Sequence, residues 1–183
     1  MELQILNWVQ TLRTPFADRA MCLITSLGNG GILWILLAAV LLLIPKTRRA
    51  GLVLLTALIL DVILCNGILK NVFARIRPCD VNTAIQLLVP RPSDFSFPSG
   101  HTAASFAAVS ALYFAGEKKL SMAALLPAVL IAFSRLYLYV HYPTDILGGI
   151  LAGIICGCLG NLLAAWLIRK VKTKKIRAND HHK

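Results

Sequence analysis

A chain of 183 residues suffices for one domain, and no stretch of it reads as a linker between two. Hydrophobic residues make up 57% and the mean hydropathy is +0.72, well beyond the roughly 45–50% apolar usage of soluble domains. The net charge of +11 argues against nucleic acid as the partner, because its Lys and Arg gather at the ends of apolar runs, where membrane proteins keep their cytoplasmic positive charge.

In chain order, residues 1–12 set Leu3, Ile5, Leu6, Trp8, Val9 and Leu12 on a helical stripe with polar neighbours, a pattern for a helix in the membrane interface. Residues 16–27 fit a sixth, short helix or a re-entrant piece, and the pattern leaves residues 1–28 open between these readings. Residues 31–45 could just span. Residues 50–73 are apolar apart from Asp61 and Asn66. Residues 101–115, rich in Ala and Ser, suit a helix packed among helices. Residues 121–140 and 144–168 complete the set. A span needs about 20 residues, so two of the five must borrow from their flanks. The expected fold is all-α: a polytopic membrane helical bundle of five or six transmembrane helices, forming a single membrane-embedded domain over residues 1–183.

Smaller features read as packing. Gly149, Gly153 and Gly157, four apart, let helices approach closely. Asp61 is costly in lipid and is expected to face the protein interior as a structural hydrogen-bonding residue. Cysteines 22, 65, 79, 156 and 158 fall mostly inside apolar runs and read as small packing residues.

Residues 74–98 are the one long polar segment, with Pro78, Pro90, Pro92 and Pro98 among apolar residues such as Leu87, Leu88 and Phe95. Segments of this length in compact folds are usually functional or disordered, and the apolar content favours a lid over a site. Three basic groups set the topology: Lys46, Arg48 and Arg49; Lys118 and Lys119; and residues 169–183, a basic tail holding seven of the 19 cations. With these cytoplasmic, residues 50–73 run outward, 101–115 inward and 121–140 outward again. Residues 74–98 then form an extracytoplasmic active-site loop.

Two of the four histidines, His181 and His182, lie in the charged tail and read as solvated. His101 and His141 stand instead in dense polar clusters at the ends of apolar runs. The clusters are Lys70 with, after six residues, Arg77-Pro78; Pro98-Ser99-Gly100-His101; and Ser134-Arg135, five residues, His141, three residues, Asp145. Taken singly, Arg77-Pro78 reads equally well as an interfacial anchor and Asp145 as a helix-start residue after Pro143. Charge counting alone, without the clusters, puts all three on one face.

In order and spacing, these clusters over residues 70–145 resemble the tripartite signature of the type 2 phosphatidic acid phosphatase family, which includes vanadium haloperoxidases and glucose-6-phosphatases. The resemblance implies a haloperoxidase-like helical core and a lipid phosphatase working through a phosphohistidine. It makes His141 the nucleophile, Asp145 the acceptor for its other ring nitrogen, and His101 the acid that protonates the leaving oxygen and then activates water. Residue chemistry agrees on the phosphate side. Lys70, Arg77 and Arg135 supply cationic donors for a transferring phosphoryl group, and Ser99 and Gly100 supply a helix N-terminus for an anion.

No cofactor or metal is expected. Of eight acidic residues only Asp145 is assigned to the constellation, whereas a two-metal site needs several carboxylates. The expected partners are a phosphorylated membrane lipid and the bilayer. Undecaprenyl pyrophosphate is the preferred substrate, with phosphatidic acid and phosphatidylglycerol phosphate as rivals. Halide oxidation, lipid phosphotransfer and a non-catalytic transporter or scaffold are the alternatives.

Overall fold

The computed structural model describes residues 1–180; the end of the basic tail, with His181 and His182, lies outside the described residues. In chain order the helices are α1 (Glu2–Gln10), α2 (Pro15–Leu27), α3 (Ile32–Leu43), α4 (Arg48–Asp61), α5 (Lys70–Phe73), α6 (Pro78–Val81), α7 (Gly100–Phe114), α8 (Lys118–Tyr137) and α9 (Pro143–Asp180). A 3-10 turn, Asn29–Gly31, joins α2 to α3, and a π-helical stretch, Val62–Leu69, carries α4 into α5. Such π-helical insertions in helices are frequent at functional sites.

Small residues decide what lies at the centre. Helix α7 buries Ala103, Ala107, Ala108 and Ala111 and packs against α9, α8 and α4. The glycine ladder of α9 faces α7. A Cβ on Gly149 would lie 2.8 Å from the Ser99 carbonyl, and one on Gly153 2.5 Å from the Ala103 carbonyl. Only glycine permits that approach, and it brings the start of α7 beside the start of α9.

Large apolar residues point outward: Leu36, Leu43, Met122, Leu126, Leu151 and Leu162 are all exposed. Among the described residues three helices are long and apolar enough to cross a membrane: Arg48–Val81, Lys118–Tyr137 and Pro143–Val171. The helices Pro15–Leu27 and Asn29–Leu43 make a fourth if taken as one span bent by 46°. By length and composition this gives three or four candidate spans beside the five or six expected, the short helices being those whose runs needed flanking residues. Helix α7 has 15 residues, and α2 and α3 are 13 and 12 residues on either side of a bend.

The N-terminal residues form two helices. Helix α1 buries Leu6 and Val9, and Tyr137–Val140, Leu87, Leu88 and Val89 pack into the same cluster. The polar segment is thereby held down on the bundle. Its backbone accepts from Arg13 Nη1 at Gln86 (3.2 Å), and its Ser96 amide donates to the Arg75 carbonyl (2.8 Å).

Candidate active site

Lys70, Arg77, Gly100, His101, Arg135 and His141, drawn from all three sequence clusters, line one cavity of about 590 Å³. Local backbone turns aim them. Ala74 adopts a left-handed conformation (φ +41°) that ends α5, and Tyr139 (φ +60°) turns the chain after α8 so that His141 points inward. Non-glycine residues in this region are uncommon and cluster at functional sites. Tyr139 is held there because its hydroxyl donates to Asn7 Oδ1 at 2.7 Å and accepts from Asn82 Nδ2 at 3.2 Å.

His141 is 1% exposed. Its Nε2 lies 3.1 Å from Arg77 Nη1 and its Nδ1 3.3 Å from Asp145 Oδ2. Arginine can only donate, so Nε2 must be the acceptor and Nδ1 must carry the proton. The tautomer is fixed, with the free lone pair on Nε2. Burial pushes the imidazole down to about 3, with Arg77 and Arg135 adding to the effect and the bond to Asp145 opposing it. The ring is therefore neutral at physiological pH.

Asp145 is fully buried and does not line the cavity. Its Oδ2 accepts from Ser96 Oγ, the Tyr142 amide (2.8 Å) and His141 Nδ1, and its Oδ1 accepts from Arg75 Nη1 at 2.6 Å. Arg75 and Arg77, two apart on an extended stretch, therefore grip opposite ends of one His–Asp pair. Sequence spacing marked Arg77 alone.

The cations differ in how they are engaged. Arg77 Nη2 donates to Asp94 Oδ1 (2.6 Å) and the Phe95 carbonyl (3.2 Å), Nε to the Asp94 carbonyl (2.8 Å), and Nη1 to the Val140 carbonyl (2.7 Å) as well as His141. Lys70 pairs with the same Asp94 carboxylate. Burial pushes Asp94 up, but Lys70 and Arg77 more than offset this and hold its carboxyl at about 2. The expectation that Asp145 is the sole carboxylate of the constellation is thus corrected. Asp94 sits among the cations because the polar segment folds back over them, which no local spacing encodes. Arg135 donates through Nη1 to Thr25 Oγ1 (2.6 Å), while its Nε is buried without a partner.

His101, half-buried in the first turn of α7, has its Nε2 2.9 Å from Asn29 Oδ1. A Cβ on Gly28 would come 2.7 Å from its Cδ2, so the loop before α3 closes tightly against the ring. The helix-start cradle is narrower than expected. The Ser99 amide donates to the Asp145 carbonyl (3.1 Å) and its hydroxyl accepts from Thr102 (3.0 Å), because the glycine ladder draws α9 against it. Gly100 and His101 are the cradle residues that line the cavity. Asp61 lines it as well, 2% exposed and with Oδ1 unpartnered. Among the described residues no three His, Cys, Asp or Glu side chains converge as a metal-ligand set.

Comparison with known proteins agrees with this layout. The model of the PAP2 superfamily matches residues 50–170. An undecaprenyl-diphosphatase from Sulfolobus acidocaldarius is 33% identical over 120 residues, covering 66% of this chain and 58% of that protein. This chain therefore spans less than two thirds of that relative's length. Among solved structures, Aquifex aeolicus LpxE superposes with a TM-score of 0.75 at 31% identity, over 87% of this chain and 93% of that one. A PAP2-type phosphatidylglycerolphosphate phosphatase from Bacillus subtilis gives 0.70 at 30% identity, over 93% and 85%.

Proposed function

Because this chain belongs to the PAP2 superfamily, we propose that it is a metal-independent membrane lipid phosphatase using His141 as nucleophile. The observation that supports this most directly is the fixed tautomer of His141, whose Nε2 lone pair shares a cavity with Lys70, Arg77, Arg135 and His101. In the reaction, Nε2 leaves its contact with Arg77 and bonds to phosphorus as the bond to the leaving oxygen breaks. His101 gives that oxygen its proton, the three cations offset the charge on the equatorial oxygens, and Asp145 stabilises the charged ring. Water then attacks the phosphohistidine, His101 takes its proton, and inorganic phosphate and free His141 remain.

The substrate we favour is undecaprenyl pyrophosphate. A relative carrying that activity in its name supports it, as does the apolar part of the cavity wall, with Ile35, Leu58 and Val62. The likeness to a phosphatidylglycerolphosphate phosphatase supports a second reading, that lipid as substrate. The positive groups at residues 46–49 and 118–119 belong to helix ends opposite those that carry the histidines, so we place the site, with the polar segment 74–98 over it, on the extracytoplasmic face and the C-terminus in the cytoplasm.

The test is phosphate release by purified protein in detergent from undecaprenyl pyrophosphate, phosphatidic acid and phosphatidylglycerol phosphate, with labelled substrate to trap an acid-labile phosphoprotein. Release is expected, fastest from the polyprenyl lipid, with label lost in His141→Ala protein. No release from any of the three defeats the phosphatase reading. Preference for the glycerolipid defeats only the substrate assignment, and label retained in His141→Ala protein defeats the nucleophile assignment.

A further inference from the structure

Arg75 and Glu2 belong to none of the signature clusters, yet both are tied to the carboxylate behind His141. Arg75 Nη1 donates to Asp145 Oδ1 (2.6 Å) and to Thr144 Oγ1 (2.6 Å), while Nη2 pairs with Glu2 Oε2. The guanidinium carbon lies over the Tyr142 ring, 3.9 Å from its centroid. The other Glu2 oxygen, Oε1, accepts from the Thr144 amide (3.1 Å) and hydroxyl (2.7 Å), in the first turn of α9. An acidic group there satisfies a first-turn amide and complements the helix dipole. The first helix of the chain is thus stitched to the start of the last one at the residue beside Asp145.

The chemistry needs such a brace. Asp145 shares Oδ2 among three donors, so its orientation toward Nδ1 depends on what holds Oδ1, and among the described residues Arg75 is the side chain that donates there. Arginine suits the task because its planar fork bonds two partners in fixed geometry. Arg75 itself is held by its cation–π contact with Tyr142 and by Glu2 at its far nitrogen. Arg75 does not line the cavity, so it has no route to the phosphate.

We propose that Arg75, clamped by Glu2, is a positioning residue for the reaction: it holds Asp145 so that His141 keeps its proton on Nδ1 and its lone pair on Nε2, which makes helix α1 part of the catalytic unit. This rests on the phosphatase reading given above. Removing Arg75 loosens the carboxylate and also removes a positive charge that balances it. Arg77, Arg135 and His101 face His141 from the other elements and Asp145 from its own side, and they are unchanged by the substitution.

The test is steady-state kinetics of Arg75→Gln, Arg75→Lys, Glu2→Gln and the Glu2→Gln/Arg75→Gln double variant. Arg75→Gln should lower kcat by about ten- to a hundredfold, the range for losing a hydrogen bond to a buried charge, with KM within about twofold. The acid limb of kcat/KM should move toward neutral pH, because Asp145 then acts on His141 with less compensation. Arg75→Lys should recover part of kcat. Glu2→Gln should cost a few-fold in the wild-type background and nothing when Arg75 is already Gln, the non-additivity expected of one linked unit. Melting temperatures of wild type, Arg75→Gln, Glu2→Gln and the double variant give the same cycle without reference to activity.

An unchanged kcat in Arg75→Gln protein overturns the proposal, as does a loss confined to KM or a Glu2→Gln cost that persists in the double variant. Wild-type protein that releases no phosphate overturns the phosphatase reading and the positioning role with it. Activity in wild-type protein with an insensitive Arg75 overturns the positioning role alone.

Discussion

Arg77 and Arg135 are both cations of the signature clusters, but the structure gives them opposite states. All five N–H groups of Arg77 are committed, to three backbone carbonyls, to Asp94 and to His141 Nε2. Arg135 has its bond to Thr25 and a buried Nε with no partner. An unpartnered charged donor is costly to bury, so Arg135 is the cation with most to gain from an arriving anion. Arg77 gains only by exchange, releasing Asp94 or His141. One wall of the cavity is open to phosphate and the other is already satisfied from within the chain.

The contrast sets how much each side chain costs when removed. Removing the nucleophile should matter most: His141→Ala protein should lose about ten-thousandfold or more in phosphate release, because residues acting as a catalytic unit fail together. Full activity would end the mechanism. Arg135→Ala should follow, with kcat/KM lower by about a hundred- to a thousandfold, the range for deleting one donor to a developing oxyanion. A smaller loss than in Arg77→Ala protein would reverse the assignment of open and satisfied walls.

The same contrast predicts a gain. In Asp94→Asn protein, inhibition by inorganic phosphate should tighten about fivefold, since the carboxylate that competes for Lys70 and Arg77 is half-exposed and its pairing correspondingly modest. Weaker inhibition would mean that Asp94 braces the cations. Asn29→Ala should lower kcat by up to about tenfold through the lost bond to His101 Nε2.

The smallest effect concerns pH and stability. His141 is held down at about 3 in the folded protein against an ordinary value of 6.5. A depressed value means that the unfolded chain takes up the proton first. Stability from the neutral ring is complete above pH 6.5 and is lost as pH falls toward 3, by up to about 2 kcal/mol at pH 5. Thermal melts at pH 7 and pH 5 should therefore show a smaller acid-induced drop in His141→Asn protein than in wild type.

Much of this was legible in the residues. Apolar runs located the helices that carry the site, and the spacing from Lys70 to Arg77 and from Arg135 to His141 and Asp145 named side chains that line or support one cavity. Apolar runs showed which helices are short, but not that α2 and α3 meet at a bend of 46°, which packing sets. Nor could spacing find Asp94, Asn29, Arg75 or Glu2, each of which meets its partner across 17 to 73 positions of chain.

Residue types and their order alone specify an all-helical, membrane-class chain whose few ionisable residues are grouped as a candidate phosphate site. Tertiary packing decided the state of that chemistry, meaning which cation is satisfied, which histidine nitrogen is free and which carboxylate is shared. Those outcomes depend on distances between side chains brought together when the α9 glycines let two helices touch and the polar segment folds over them. Hydrogen bonds act over about 3 Å of space whatever the separation along the chain.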